Sequence, residues 1–255
     1  MVTTFAQAAP ITVVNSGFED ITGETPYNEF TFGALPGWTY YDPSGTKGAG
    51  AGGTYFIGTL QPTIIPARDP VNYQFFPDGA YAGTRMGIAF NFTGSGGTGE
   101  YGLQQTLSES LQPFTTYTLT VRIGNIALGY AVDNTFYNLN GFPGYRVDLM
   151  AGSTVLSSDS TSAGVIPEGQ WGLSTLVFST GAAETLASGN LGIRLVNRNV
   201  IDPLAPSADL EVDFDAVQLD ASPIPEPSIA ALLLLAALGG LAWKSAKRRA
   251  TSIAL

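Results

Sequence analysis

Apolar and polar residues alternate along most of the first 220 positions of this 255-residue chain. In TTYTLTVRIG, residues 115–124, apolar Tyr117, Leu119, Val121 and Ile123 alternate with threonine and arginine. Because successive side chains of a strand point to opposite faces, this period of two predicts a half-buried antiparallel strand. The segments GYRVDLMAG, NLGIRLVN and LEVDFDAVQLD repeat the pattern.

The segments between these candidate strands are rich in Gly, Pro, Ser and Asn, which are turn-forming residues. No amphipathic segment of helical length precedes residue 223. About ten short strands joined by turns are typical of a two-sheet architecture. The sequence therefore predicts an all-β fold, an antiparallel two-sheet β-sandwich of the jelly-roll type, over residues 10–221.

The C-terminal region has a different pattern. Residues 229–243 form an apolar run without the polar positions that a buried core helix would show at helical spacing. As a helix the run would extend about 22 Å, against about 30 Å for a bilayer core. Lys and Arg follow it, and such residues stay on the cytoplasmic side. We expect a single membrane helix at 229–243 and a basic cytoplasmic tail at 244–255, with a buried C-terminal helix as the alternative.

The order of these C-terminal parts resembles a known sorting signal. Pro225, Glu226 and Pro227 lie in a linker at 222–228, the apolar run follows, and Lys247, Arg248 and Arg249 lie beyond it. This arrangement resembles the PEP-CTERM signal of exopolysaccharide-producing Gram-negative bacteria. The resemblance implies an exosortase-type partner and a transient anchor in the inner membrane. It also implies a final localisation at the cell surface or in the extracellular matrix.

Export also requires an N-terminal signal. Residues 1–9 contain Ala6-Gln7-Ala8, which fits the small-x-small pattern of a signal cleavage site, but they lack a basic start and an apolar core. We expect this segment to be the remnant of a secretory signal whose true start lies upstream of Met1.

The composition of the chain excludes several classes of enzyme and of binding partner. The chain has no Cys and no His, which excludes thiol proteases, Ser-His-Asp hydrolases and His-ligated metalloenzymes. A glycosidase that uses a pair of carboxylates stays open. The net charge of −10 argues against a nucleic-acid partner, because the protein would repel phosphates.

Five segments resemble, in their order, the carbohydrate-binding jelly rolls of the galactose-binding-like superfamily. They are VVNSGFED, LPGWTYY, LQQTLSESLQPFTTYTLTVRIG, EGQWGLSTLVF and VDFDAVQLD, and the resemblance covers roughly residues 11–220. In that superfamily the matching positions of Glu19 and Asp215 commonly bind a structural calcium ion. Ala216 departs from the pattern, because many relatives carry a second aspartate there.

The residues themselves agree in part with a calcium site. Asp215 has the same strand parity as Val217 and Leu219, so we expect its carboxylate near the edge of the core, where a hard cation would neutralise it. The alternative is that Asp213 and Asp215 lie on an exposed strand and that Glu19 lies in a turn.

The long connection at 125–144 is the candidate ligand-binding segment, because loops of this length are often functional. Aromatic rings stack on sugars, and amides hydrogen-bond to hydroxyl pairs. The alternative is that the rings pack onto the sandwich and the Asn residues stabilise turns. The candidate sugar-binding residues are Tyr130, Asn134, Phe136, Tyr137, Asn138 and Asn140.

Together these patterns predict an exported, non-catalytic β-sandwich that binds extracellular polysaccharide, with structural calcium as its only cofactor. A structural or adhesive matrix protein without a sugar site is the first alternative, and a carboxylate-pair glycosidase is the second. The prediction is therefore that the protein is not an enzyme.

Overall fold

The computed structural model describes residues 8–33, 35–45, 55–62, 75–92, 99–182 and 186–224. These residues form an all-β fold. Its strands are β1 (Ala9–Ile11), β2 (Pro26–Tyr27), β3 (Phe30–Phe32), β4 (Thr39–Tyr41), β5 (Tyr55–Leu60), β6 (Met86–Asn91), β7 (Tyr101–Ser110), β8 (Thr115–Asn125), β9 (Gly129–Tyr130), β10 (Phe136–Tyr137), β11 (Tyr145–Ala151), β12 (Thr154–Asp159), β13 (Gln170–Ser179), β14 (Asn190–Asn197) and β15 (Leu210–Pro223).

The strands form two large antiparallel sheets. One has eight strands in the order β13-β8-β15-β6-β5-β3-β2, with β1 paired to β15. The other has five strands in the order β12-β11-β14-β7-β4, and β9 and β10 form a separate hairpin. Leu119 and Val121 of the first sheet pack into one core with Leu103 and Leu195 of the second. The all-β antiparallel prediction is confirmed, and the arrangement is consistent with a sandwich.

A second apolar cluster lies on the outer face of the eight-stranded sheet. All six residues of β6 are buried, with Ala89 in the main core and Ile88 and Phe90 in the second cluster. A strand buried on both faces needs cover on both sides. Here Phe75, Phe76 and the 126–139 segment supply the outer cover. This additional layer creates an enclosed apolar space that a plain sandwich lacks.

A β-bulge in β15 sets the direction of its acidic side chains. Val212 and Phe214 pack into the main core, so Asp213 and Asp215 face the outer layer. Between Asp215 and Gln218 the register with β8 shifts, and Ala216 has a φ of 47°.

Beyond the bulge Val217 and Leu219 point into the main core. The expectation that Asp215 shares a face with these two residues is therefore wrong, because the extra residue inverts the alternation. The expected burial of its carboxylate is confirmed, since Asp215 is fully buried.

No helix within the described ranges is long and apolar enough to cross a membrane. The predicted membrane helix at 229–243 and basic tail at 244–255 lie outside the described residues, as do Pro225, Glu226, Pro227, Lys247, Arg248 and Arg249. The domain boundaries, the jelly-roll assignment and the exported localisation stay predictions.

Candidate functional site

Two buried carboxyl groups form the centre of the site. Glu211 and Asp213 lie two residues apart on the outer face of β15 and are 2% and 0% exposed. The strand register places Phe90 of β6 beside Glu211, and it places Ile88 of β6 and Gly124 of β8 on either side of Asp213. The carboxyl pair is therefore surrounded by apolar side chains and backbone.

Neither carboxyl group forms an ion pair with a cation of the described residues. Among the described residues, no N–H or O–H group donates to Glu211 Oε1 or to either carboxyl oxygen of Asp213. Burial raises the pKa of both groups, and the proximity of the two acids raises the pKa of Asp213 further. Burial in apolar surroundings disfavours the charged form of a carboxyl group. The pair therefore retains a proton at neutral pH.

An aromatic stack covers Asp213. The rings of Phe76 and Trp171 lie 4.8 Å apart at 22°, and Trp171 Nε1 donates to Gly79 O at 3.3 Å. A Cβ atom on Gly124 would lie 2.8 Å from the Phe76 ring and 2.9 Å from Asp213 Cβ. Only glycine at this position leaves room for the rings to pack this close to the carboxyl group.

An aromatic pocket adjoins Glu211. Its open volume is about 20 Å³, room for about one water molecule. The ring of Phe56 lies 4.7 Å from that of Phe32 and 6.0 Å from that of Phe90. Apart from Glu211, the lining is Phe30, Phe32, Phe56, Ile88, Phe90, Phe92, Tyr137 and Leu139.

The β9–β10 hairpin forms one wall of this pocket. Tyr137 lines the pocket, and its ring lies 5.7 Å from that of Phe30. The hairpin is held by Glu29, which is 3% exposed and accepts a hydrogen bond from Val132 N at 3.0 Å. The Tyr27 hydroxyl also donates to Asp133 Oδ2, at 3.2 Å.

The electrostatic environment of the pocket is acidic. Burial raises the pKa of Tyr137 to about 12, and the nearby charges of Asp133, Glu29 and Glu211 add to the increase. Neutral tyrosine is therefore favoured here. Hydrogen bonds from Thr135 lower the pKa of Asp133, so this carboxylate stays ionised at the hairpin wall and would attract a cation.

The candidate sugar-binding residues occupy different positions around this hairpin. The rings of Tyr130 and Phe136 contact each other at a centroid distance of 5.0 Å and a tilt of 53°, and Phe136 is 48% exposed. Asn134 has a φ of 77° in the hairpin turn, and its N–H donates to Ala131 O. Asn138 and Asn140 are half-buried in the segment that follows. Of the six residues, the structure brings Tyr137 alone into the pocket.

Glu19 and Asp215, the candidate calcium ligands, both bind the 81–85 loop. Glu19 accepts hydrogen bonds from Thr84 N, Thr84 Oγ1 and Arg85 N at 2.7–2.8 Å. Asp215 accepts from Ala82 N at 2.8 Å and from Ala216 N at 2.6 Å. Burial raises the pKa of Asp215 to about 6. These donors account for both carboxylates without a cation, and no group of three or more acidic metal-binding side chains occurs within the described ranges.

Comparison with known proteins identifies a family and several similar solved structures. A family model described as HpiC1-like, for the HpiC1 cyclase, matches residues 9–220. A cyclase from Fischerella sp. TAU is 33% identical, covering 86% of this chain and 100% of its own, with a TM-score of 0.66.

Two further solved structures contain ligands. The Stig cyclase Fisc from Fischerella sp. TAU, in complex with (3Z)-3-(1-methyl-2-pyrrolidinylidene)-3H-indole, gives the same identity, coverage and TM-score. A Fischerella sp. TAU cyclase in complex with 4-(1H-indol-3-yl)butan-2-one is 32% identical, covers 86% of this chain and 100% of its own, and has a TM-score of 0.66. No curated protein sequence matches the chain.

These matches correct the functional interpretation of the sequence. The identification as a PEP-CTERM protein with a galactose-binding-like ectodomain is wrong, because the matching family is that of a cyclase. The predicted non-catalytic, carbohydrate-binding matrix function is wrong for the same reason, as is the prediction that the protein is not an enzyme. The physical cause of the error is that strand alternation indicates a fold class, and one fold can host unrelated functions.

Sequence reasoning treated Asp213 as a strand residue without function and did not consider Glu211. Two signals were present in the sequence. LEVDFD alternates acids with large apolar residues, and MGIAFNF lacks the polar positions of a half-exposed strand. Together they indicate a β-sheet covered on both faces with acids on one of them.

Proposed function

Because this chain belongs to the HpiC1-like cyclase family, we propose that it is an enzyme that cyclises a hydrophobic aromatic substrate by acid catalysis. The observation that carries the proposal is the Glu211–Asp213 carboxyl pair, which lies buried beside an aromatic pocket and forms no ion pair with a described residue. The pair is the proton donor, and the aromatic side chains bind the substrate and its cationic intermediate.

The pair is suited to act as a general acid at neutral pH. An ionised carboxylate without a partner is costly in an apolar environment, so the buried pair keeps a proton that an exposed carboxyl group would lose. The proton can be donated only to a group that enters the pocket, because Glu211 contributes to the pocket lining. A positioned acid of this kind contributes about 10²–10⁴-fold to a rate.

The reaction balances as an isomerisation. A carboxyl proton adds to an unsaturated carbon of the substrate, and the electron pair of a neighbouring π system attacks the resulting cation to close a ring by a new C–C bond. The carboxylate then removes a proton from the cyclised cation, which restores both the neutral product and the acid. No oxidant or second substrate is consumed.

The aromatic residues stabilise the cation. Phe30, Phe90 and Tyr137 surround the pocket, and an aromatic face attracts a positive charge by about 0.5–2 kcal/mol. Glu29 and Asp133 lie at the hairpin wall of the pocket, where their charges help to raise the pKa of Tyr137. The buried rings of Phe30 and Phe90 are fixed before the reaction, which is the arrangement that stabilises a developing charge most effectively.

An indole-containing substrate is part of the proposal. It is supported by the indole ligands in the solved Fischerella structures, which are about one-third identical to this chain over most of its length. It is also supported by the flat apolar lining of the pocket. The present open volume of about 20 Å³ is smaller than an indole, so binding requires movement of the half-buried rings.

Substitution of the acids tests the proposal. We expect Asp213→Asn and Glu211→Gln each to reduce cyclisation of an indole substrate by about 10²-fold or more, since each removes one proton-binding carboxyl group. Product formation is measured by liquid chromatography with mass spectrometry. Asp220→Asn is the matched control, because it makes the same chemical change on β15 away from the pocket. Full activity in both site variants would refute the assignment of the acid.

Structural calcium at Glu19 and Asp215 stays a separate proposal. It is supported by the binding of both carboxylates to the 81–85 loop. It is also supported by the raised pKa of Asp215, which burial and the charge of Glu19 produce. We expect a chelator to lower the melting temperature, added calcium to restore it, and Glu19→Gln to abolish the response. An unchanged melting temperature in the chelator would exclude a stabilising calcium ion.

A further inference from the structure

We propose that Phe56 sets the length of the substrate that the pocket accepts, and that the row Glu211–Phe90–Phe56 orients this substrate with its proton-accepting end at β15. The inference rests on the proposed function and adds to it a residue that determines specificity.

The strand register defines the row. Glu211 of β15 pairs with Phe90 of β6, and Phe90 pairs with Phe56 of β5. Directly paired residues of antiparallel strands lie on the same face, and adjacent strands are about 4.8 Å apart. The backbone of Phe56 is therefore about 10 Å from that of Glu211. One end of the row is acidic, and the other end is aromatic.

Burial divides the pocket into a floor and a mouth. Phe30, Ile88, Phe90 and Leu139 are buried and form the floor. The four remaining apolar or aromatic lining residues are half-buried and form the mouth; they are Phe32, Phe56, Phe92 and Tyr137. A ring at the mouth can move without opening a cavity in a core, whereas a ring in the floor cannot.

Phe56 lies at the centre of the mouth. Its ring is 4.7 Å from that of Phe32, 6.2 Å from that of Phe92 and 6.0 Å from that of Phe90. The fourth residue of the mouth is Tyr137 of the β9–β10 hairpin, whose ring lies 6.3 Å from the ring of Phe90. Phe56 therefore blocks the end of the row that is farthest from the acid.

The chemistry of the two ends fixes the orientation. The Phe32, Phe56 and Phe92 side chains carry no hydrogen-bonding group, so this end takes a flat apolar ring system. The unsaturated carbon that receives the proton must lie at the Glu211 end. The substrate class is a flat aromatic ring system that carries an unsaturated side chain, and its permitted length is the distance from Glu211 to the Phe56 ring.

Binding of two probes tests the inference. The first is 4-(1H-indol-3-yl)butan-2-one, and the second is its benzo-fused benz[g]indole analogue, which is one ring longer. We expect the wild-type protein to bind the indole more tightly. Phe56→Ala removes the end of the slot and should shift the ratio of the two dissociation constants toward the longer probe by about 10-fold or more. Phe56→Leu should shift it in the same direction by less, and it serves if the alanine variant does not fold.

Phe178→Leu is the matched control. Phe178 is a half-buried phenylalanine on β13 that packs against the main core, away from the pocket. The control should keep the wild-type ratio even if it lowers the melting temperature. An unchanged ratio in Phe56→Ala and Phe56→Leu, with indole binding intact, would overturn the role of Phe56 alone. Absence of binding of either probe to the wild-type protein would overturn both this inference and the indole-containing substrate.

Discussion

At the scale of single residues, the chain uses carboxyl groups in two opposite ways. Asp159 accepts hydrogen bonds from Ser174 Oγ at 2.5 Å, Ser162 Oγ at 2.7 Å and Tyr145 OH at 2.8 Å. Burial alone would raise its pKa, but these donors outweigh that effect and lower it. Among the described residues Asp213 has no such donors, and burial raises its pKa. Hydrogen-bond donors, more than burial, distinguish a structural carboxylate from an acid that can transfer its proton.

This contrast predicts how Asp159 affects stability. We expect Asp159→Asn to lower the free energy of unfolding at pH 7 by about 1–2 kcal/mol, a modest value because the group is partly exposed. The pKa of Asp159 is lower in the folded state, so its contribution is present above the unfolded pKa of about 3.9 and disappears as the pH falls through the folded value. Urea unfolding at pH 7 and pH 3 should show the difference shrinking, with Asp220→Asn as control. A constant difference would contradict the assignment.

At the scale of strands, the sequence pattern predicts the sheets well and the site poorly. The alternation in β8 gives its buried positions Tyr117, Leu119, Val121 and Ile123 correctly, because one face of this strand lies on the main core. A strict period of two fails in β15, where the bulge at Ala216 inverts the faces within one strand. Nothing in the residues around Ala216 marks a bulge, since it is neither Gly nor Asn.

The pocket escaped prediction for a related reason. Its residues come from β3, β5, β6, β10 and β15, and their proximity depends on the register between strands that are far apart in sequence. A periodicity identifies the face of one strand, but it does not place Glu211 beside Phe90 and Phe56. Tyr137, which sequence reasoning selected, does lie in the pocket. The aromatic loop was a useful signal, although a sugar was the wrong ligand class.

At the scale of the whole molecule, one sheet separates stability from chemistry. The main core lies between the two sheets, and the site lies in the added layer on the outer face of the eight-stranded sheet. β15 belongs to both, since Phe214 packs inward and Asp213 faces outward. A site built on a central strand is held rigidly, which suits an acid that must be positioned relative to a substrate.

The burial of Glu211 and Asp213 also lowers the stability of the folded protein at neutral pH. The pKa values of Glu211 and Asp213 are higher in the folded state, so the unfolded chain loses these protons near pH 4 while the folded chain retains them. Stability should therefore decrease as the pH rises above about 4 and continue to decrease through neutrality. Asn at position 213 cannot ionise, so Asp213→Asn should reduce this decrease and raise the melting temperature at about pH 8, while it lowers cyclisation by about 10²-fold or more.

This effect can be measured from melting temperatures between about pH 5 and pH 9, in steps of about one pH unit. The proteins to compare are the wild type, Asp213→Asn and Asp220→Asn. We expect the wild-type and Asp220→Asn curves to fall together and the Asp213→Asn curve to fall less. Parallel curves for all three proteins would mean that the folded protein does not retain the proton. An acid that is uncharged in the folded protein links activity to a loss of stability, and the separate main core is what allows the fold to tolerate that loss.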